Sequence, residues 1–225
     1  MTTNLKKLFV MRHAESLEDI DKTAYEHVAD EDMPLSEHGR DEAKAFGQEF
    51  AQNLGLTKRI QLILSPNKRV LETANLIVSY MTPSIKWSLA TEHLIEKQHW
   101  GNVTMQNRSQ IERERYRAGV LRYKFPSGES GTEYLFRFDL FAKKLRHTMD
   151  KQNDDLFLVI THGFELRVLL KSLLEWSEDY FETLAHPLHC ELKRLAYENN
   201  RITLLDEMRT YDPSLNPNFI RRQTT

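Results

Sequence analysis

Cysteine is almost absent. Cys190 stands alone among 225 residues, which excludes an internal disulfide and a multi-cysteine metal cage and fits a reducing compartment. It reads as a small buried residue. A surplus of charge is missing too: 31 Lys+Arg stand against 33 Asp+Glu, a net charge of -2. The chain therefore lacks the broad positive face that a nucleic-acid backbone or an anionic membrane requires, and any basic site is local. No apolar run is long enough to span a bilayer, and Leu8-Phe9-Val10-Met11 is too short for a signal-peptide core. The expectation is a cytoplasmic protein with neither nucleic acid nor membrane as partner. Internal repeats and low-complexity linkers are also lacking, so the length favours one domain of ordinary composition.

What is present alternates between strand and helix patterns. Leu8-Phe9-Val10-Met11 is a continuous apolar run, as a strand covered on both faces would be, and it stops at Arg12-His13. Ser36 can cap a helix whose apolar positions Ala43, Phe46, Phe50 and Leu54 recur at helical spacing, with Gly55 as its stop. Residues 60–64 read as a second buried strand. After Ser65-Pro66 comes a helix with Val70, Leu71, Ala74, Ile77, Val78 and Met81 on one stripe, ended by Pro83. Residues 156–161 form a third apolar run, closed by His162-Gly163 and followed by a helix carrying Leu166, Leu169, Leu170 and Leu173. Residues 190–197 and 202–205 flank Asn199-Asn200 as a hairpin at a sheet edge. The domain is thus expected over 1–208, with a lid-type insertion at about 92–130 and a loosely ordered tail over 209–225. A helix with Tyr134, Leu135, Phe138, Phe141, Leu145 and Met149 follows the insertion.

Open α/β sheets bind ligands beyond the carboxyl ends of their strands. Three such ends carry Arg12-His13-Ala14-Glu15-Ser16, Ser65-Pro66-Asn67-Lys68-Arg69 and Thr161-His162-Gly163. Two arginines and two histidines in one place suit a phosphoryl group. Guanidinium forks match phosphate oxygens, and a neutral imidazole can attack phosphorus while a second steadies the developing charge. Such chemistry requires no metal and no cofactor. The leaving oxygen still needs a proton, best supplied by a carboxylic acid at the pocket mouth.

These residues give the chain its resemblance to the histidine phosphatase superfamily, in its phosphoglycerate-mutase-like branch. Five blocks in register carry it: Arg12-His13-x-Glu15-Ser16, Leu35-Ser36-Glu37-His38-Gly39, Ser65-x3-Arg69-x2-Glu72-Thr73-Ala74, Pro126-Ser127-Gly128-Glu129-Ser130 and Thr161-His162-Gly163. The segment 21–32 further resembles a mutase-like subgroup of plants, fungi and bacteria. The resemblance implies a single α/β domain with a mostly parallel central sheet flanked by helices. It makes His13 the nucleophile and places Arg12, Arg69 and His162 around the phosphate. The implied activity is a metal-independent phosphatase acting on small phosphate monoesters through phosphohistidine. A phosphoglycerate-type mutase and a phosphate-binding or regulatory protein with weak turnover are the alternatives. A monomer or a homodimer fits equally.

The chain also departs from the family pattern. Ala14 replaces a usual glycine, and Asp19 stands where many members have asparagine. An ionised carboxylate there opposes phosphate unless it turns outward or pairs with an arginine. The position of the usual acid holds Lys97, with Glu96 beside it. Two readings stay open: a one-residue bulge returns Glu96 to the pocket and leaves Lys97 to contact a substrate anion, or Lys97 faces inward and acid catalysis weakens. Glu92 and His99 are lesser candidates for the acid. Substrate contacts are further expected from Ser16, which can instead cap the next turn, and from Gly163. The basic segment 108–124 reads as a solvated helix face or as a lid for anionic substrates. No metal site is assigned, because Pro187 breaks the turn that His186 and His189 would need.

Overall fold

The apolar run that stops at Arg12 lies in strand β1 (Lys6–Arg12), and the run before His162 is strand β4 (Leu156–Thr161). These two pair in parallel at the centre of a six-stranded sheet; a computed structural model describes residues 6–211. Every residue of β4 is buried, and its side chains alternate between two cores as the two-residue period of a strand dictates. Phe157 and Val159 join Leu8 and Val10 under helices α5 (Gly131–Lys151) and α6 (Gly163–Leu174). Leu156, Leu158 and Ile160 join Met11 and strand β2 (Arg59–Leu64), under helices α2 (Glu37–Asn53) and α3 (Lys68–Val78). A strand covered on both faces needs apolar residues on both, which is why its sequence reads as an unbroken run. Truncating one such side chain, as in Leu158→Ala, costs about 2–5 kcal/mol.

The expected helices form where their caps and stripes lie. Ser36 accepts from the Gly39 amide at the start of α2, and Gly55 follows its end with φ of 58°. Strands β5 (Leu192–Glu198) and β6 (Arg201–Leu204) make the expected hairpin, antiparallel to β1 through β5. Asn199 and Asn200 both hold positive φ, the twist a two-residue hairpin turn demands. The hairpin forms one edge of the sheet, whose order is β3-β2-β4-β1-β5-β6.

The other edge is a strand that the sequence reading missed. Strand β3 (Lys86–Thr91) pairs in parallel with β2, and all six of its residues are exposed. An edge strand with open faces needs no apolar run, so it leaves no burial pattern to find. The region after it holds helix α4 (Met105–Ala118) within the expected insertion. Short helices α1 (Leu17–Ile20) and α7 (Glu178–Thr183) complete the set. At the start of the expected tail, Leu184 and Thr210 form an isolated β-bridge and the Tyr211 amide donates to the Thr183 carbonyl. The rest of that tail, residues 212–225, lies outside the described residues.

Candidate functional site

Parallel strands β1, β2 and β4 point their carboxyl ends the same way, so the residues that follow them converge. The His13 amide donates to the Thr161 carbonyl at 2.9 Å, which ties the end of β1 to the end of β4. His13 is buried, and its ring centroid lies 5.0 Å from that of His162 in an edge-to-face arrangement. His13 Nδ1 lies 2.6 Å from the Ala14 carbonyl oxygen. A carbonyl only accepts, so Nδ1 carries the hydrogen and Nε2 keeps its lone pair. Burial, with Arg69 and Arg12 nearby, pushes the His13 pKa well below the usual histidine range, and the imidazole is neutral at pH 7. Thr73 of α3 holds this corner from behind: its hydroxyl accepts from the Ala14 amide and donates to the Arg69 carbonyl.

The remaining pocket residues are equally fixed. His162 Nε2 lies 3.0 Å from Ser65 Oγ and 3.1 Å from Asn67 Oδ1, and burial with the Arg69 charge keeps this ring neutral as well. Arg12 donates through Nη1 to the Pro187 carbonyl and through Nη2 to Asp19. Arg69, fully buried, donates through both Nη atoms to Asp30. The Asp19 carboxylate is therefore paired with Arg12, and it also accepts from Ser16 N and Oγ. Although burial opposes its ionisation, the adjacent His189, the hydrogen bonds from Ser16 and the Arg12 charge hold its pKa well below the usual carboxylate range. The hydroxyl of Ser16 is committed to Asp19 at the start of α1. Gly163 opens α6 with the His186 ring against it; a Cβ there would lie 2.2 Å from His186 Nε2.

Four nitrogens around His13 are buried without a hydrogen-bond partner: Arg12 Nε, Arg69 Nε, His162 Nδ1 and His189 Nε2. An unpaired buried polar group costs about 1–3 kcal/mol. Four in one place form a cradle that an anion with several oxygens satisfies. His189 is the member that sequence reasoning did not place here. Its ring lies 6.2 Å from His13, and only the folding of the turn before β5 onto β1 brings it there.

Lys97 and Glu96 lie further out. Lys97 Nζ donates to Asp30 at 2.8 Å, to Tyr25 Oη at 2.7 Å and to Glu18, so it is neutralised by the segment 18–30. Lys97 and Arg69 keep Asp30 ionised although burial opposes it. Glu96 pairs with His93 and remains partly exposed. Both Glu96 and Lys97 line a cavity of about 1070 Å³ that adjoins the pocket at Pro66 and Asn67. Trp100, Tyr25 and His99 are also on its wall. Glu92 caps the turn that follows β3 and pairs with Lys144. The insertion is docked on the domain: Arg115 is buried, lies 4.4 Å over the Phe164 ring and donates to Gln98. Arg108 lies over Tyr25 and Trp100 at the cavity and donates to Glu112.

Comparison with known proteins gives the family and the fold. A model of the histidine phosphatase superfamily (branch 1) matches residues 8–208. A phosphoglycerate mutase-like protein of Arabidopsis thaliana is 28% identical over 204 residues, covering 84% of this chain and 73% of that protein. Among solved structures, a mycobacterial glucosyl-3-phosphoglycerate phosphatase superposes with a TM-score of 0.68 at 17% identity, over 89% of this chain and 97% of its own. A phosphoglycerate mutase from Bacillus anthracis gives 0.67 at 18% identity, over 99% and 98%. At these identities the two structures establish a shared fold. No helix among the described residues is long and apolar enough to cross a membrane.

Proposed function

This chain belongs to the histidine phosphatase superfamily, whose members are phosphatases or mutases, and on that premise we propose that it hydrolyses phosphate monoesters through a phosphohistidine on His13. The observation that carries this reading is the cradle of unpartnered buried nitrogens beside a neutral, nucleophilic imidazole. His13 Nε2 attacks phosphorus and the bond to the leaving oxygen breaks. Arg12 and Arg69 spread the phosphoryl charge, and His162 Nδ1, bare because the neutral ring carries its hydrogen on Nε2 toward Asn67, accepts a hydrogen bond from the P–OH of a monoanionic phosphoryl group. Glu96, on the wall of the adjoining cavity, gives its proton to the leaving oxygen. It then takes one from the water that attacks the phosphohistidine, so that inorganic phosphate departs and the site resets. The cavity holds the alcohol portion of the substrate. None of these steps requires a metal.

The test is hydrolysis of p-nitrophenyl phosphate with EDTA present, from acidic to neutral pH, with His13→Ala as control. This leaving group needs little protonation, so the assay reads the pocket independently of Glu96. Turnover that disappears in the control is the expected result. A His13→Ala protein that keeps full activity overturns the nucleophile, and a wild-type protein inert at every pH overturns the phosphatase.

A further inference from the structure

His189 is not in any of the five blocks that mark the pocket, yet its place beside His13 is built with care. The His13 carbonyl accepts from the Cys190 amide at 3.4 Å, and Cys190 holds a φ of 52° that turns the chain back at this point. On the other side the Leu188 amide donates to Glu191, whose carboxylate is held by Lys193 and Arg209. His189 is thus carried on a short corner fastened at both ends, one of them to the nucleophile's own backbone. Its Nε2 lies 3.3 Å from Asp19 Oδ2 but off the line of a hydrogen bond, and the nitrogen is buried and unpartnered.

Asp19 explains why a second imidazole is held there. Its oxygens already accept from Ser16 N, Ser16 Oγ and Arg12 Nη2. The carboxylate is therefore anchored, and it holds the neighbouring ring at ion-pair distance. Arg12 offsets the negative charge that would otherwise face an incoming phosphate. We propose that His189 is a fourth member of the phosphoryl cradle, donating Nε2–H to a phosphoryl oxygen, and that Asp19, 3.3 Å from that nitrogen, is the positioning residue that keeps the ring in place. This rests on the phosphate-ester reading of the pocket.

The test is titration of inorganic phosphate into the full chain by calorimetry, with p-nitrophenyl phosphate kinetics alongside. Loss of one hydrogen bond to a charged group predicts that His189→Ala weakens phosphate binding and raises KM roughly tenfold. Replacement by Gln, which keeps a donor on a shorter reach, recovers part of both. In an Asp19→Asn background the further effect of His189→Ala shrinks, because the two residues act as one unit. An Ala variant that binds phosphate as wild type does overturns the proposal, as does a Gln variant no better than Ala. Full additivity with Asp19→Asn removes Asp19 from it. Calorimetry needs no turnover, so a wild type that binds phosphate without hydrolysing esters sinks the phosphatase and leaves His189 assessable.

Discussion

The phosphoryl pocket and the adjoining cavity meet at Asn67, which contacts His162 on one side and lines the cavity on the other. They are built on different terms. The pocket stands on the ends of three parallel strands, and its side chains are buried and tied to backbone carbonyls or to one another. The cavity is walled by short turns, by the segment 25–31 and by the start of α4, with partly exposed side chains. A sheet end gives reproducible geometry. On the phosphate-ester reading proposed above, the loops around it set which alcohol fits, at little cost to the fold.

Substitutions that respect or cross this division test it. Arg69→Ala strikes the pocket hardest: it removes a charge from the phosphoryl group and leaves Asp30 with Lys97 as its one ion-pair partner beside the Tyr25 hydroxyl. A fall in kcat/KM on the order of 10³-fold is expected with p-nitrophenyl phosphate. A near-normal value would break the pocket assignment. Glu96→Gln acts from the cavity side. Its loss is expected at about 10²-fold for alkyl phosphates and slight for p-nitrophenyl phosphate; equal losses on both would take the acid role from Glu96.

Gly163→Ala places a Cβ against the His186 ring, 2.2 Å from its Nε2. The overpacking is expected to cost about 1–3 kcal/mol in unfolding free energy, read by denaturant titration, and an unchanged midpoint would show that the pocket floor yields. The histidines themselves make the pocket half acid-labile. Burial, with the Arg69 charge, holds His13 and His162 well below their usual value of 6.5. The unfolded chain takes up these protons as pH falls below 6.5 while the folded chain does not. Stability is therefore complete above 6.5 and declines below it, by about 1.4 kcal/mol per pH unit for each such histidine. Thermal midpoints measured downward from neutral pH check this, and a His162→Gln protein should decline less steeply. Smallest of all, the exposed cavity residue Gln106 should leave stability within about 0.5 kcal/mol when changed to Ala. Such a change should alter KM only for substrates with bulky alcohol portions.

Much of the pocket half was legible because burial writes itself into sequence. The runs before His13, before Ser65 and before His162 are apolar on both faces, so they announce central strands and, with them, where the ligand end lies. Strand β3 was not legible, since an open edge imposes no pattern on Lys86 or Ser88. The roles of Lys97 and Asp30 were not legible either. Their pairing joins residues 67 positions apart, and nothing in local spacing encodes it. The sequence raised the conflict between Asp19 and phosphate; the arginine seven residues before it resolves that conflict through a contact across the turn.

By itself the amino-acid order determined the alternation of buried strands and amphipathic helices, and the arginines and histidines that follow the strand ends, because both follow from residue type and period. Only the tertiary structure decided that His189 joins His13, that Lys97 is spent on carboxylates and that Glu96 faces a cavity. Those outcomes depend on which distant segments pack together, and a side chain's partners are set by that packing rather than by its neighbours along the chain.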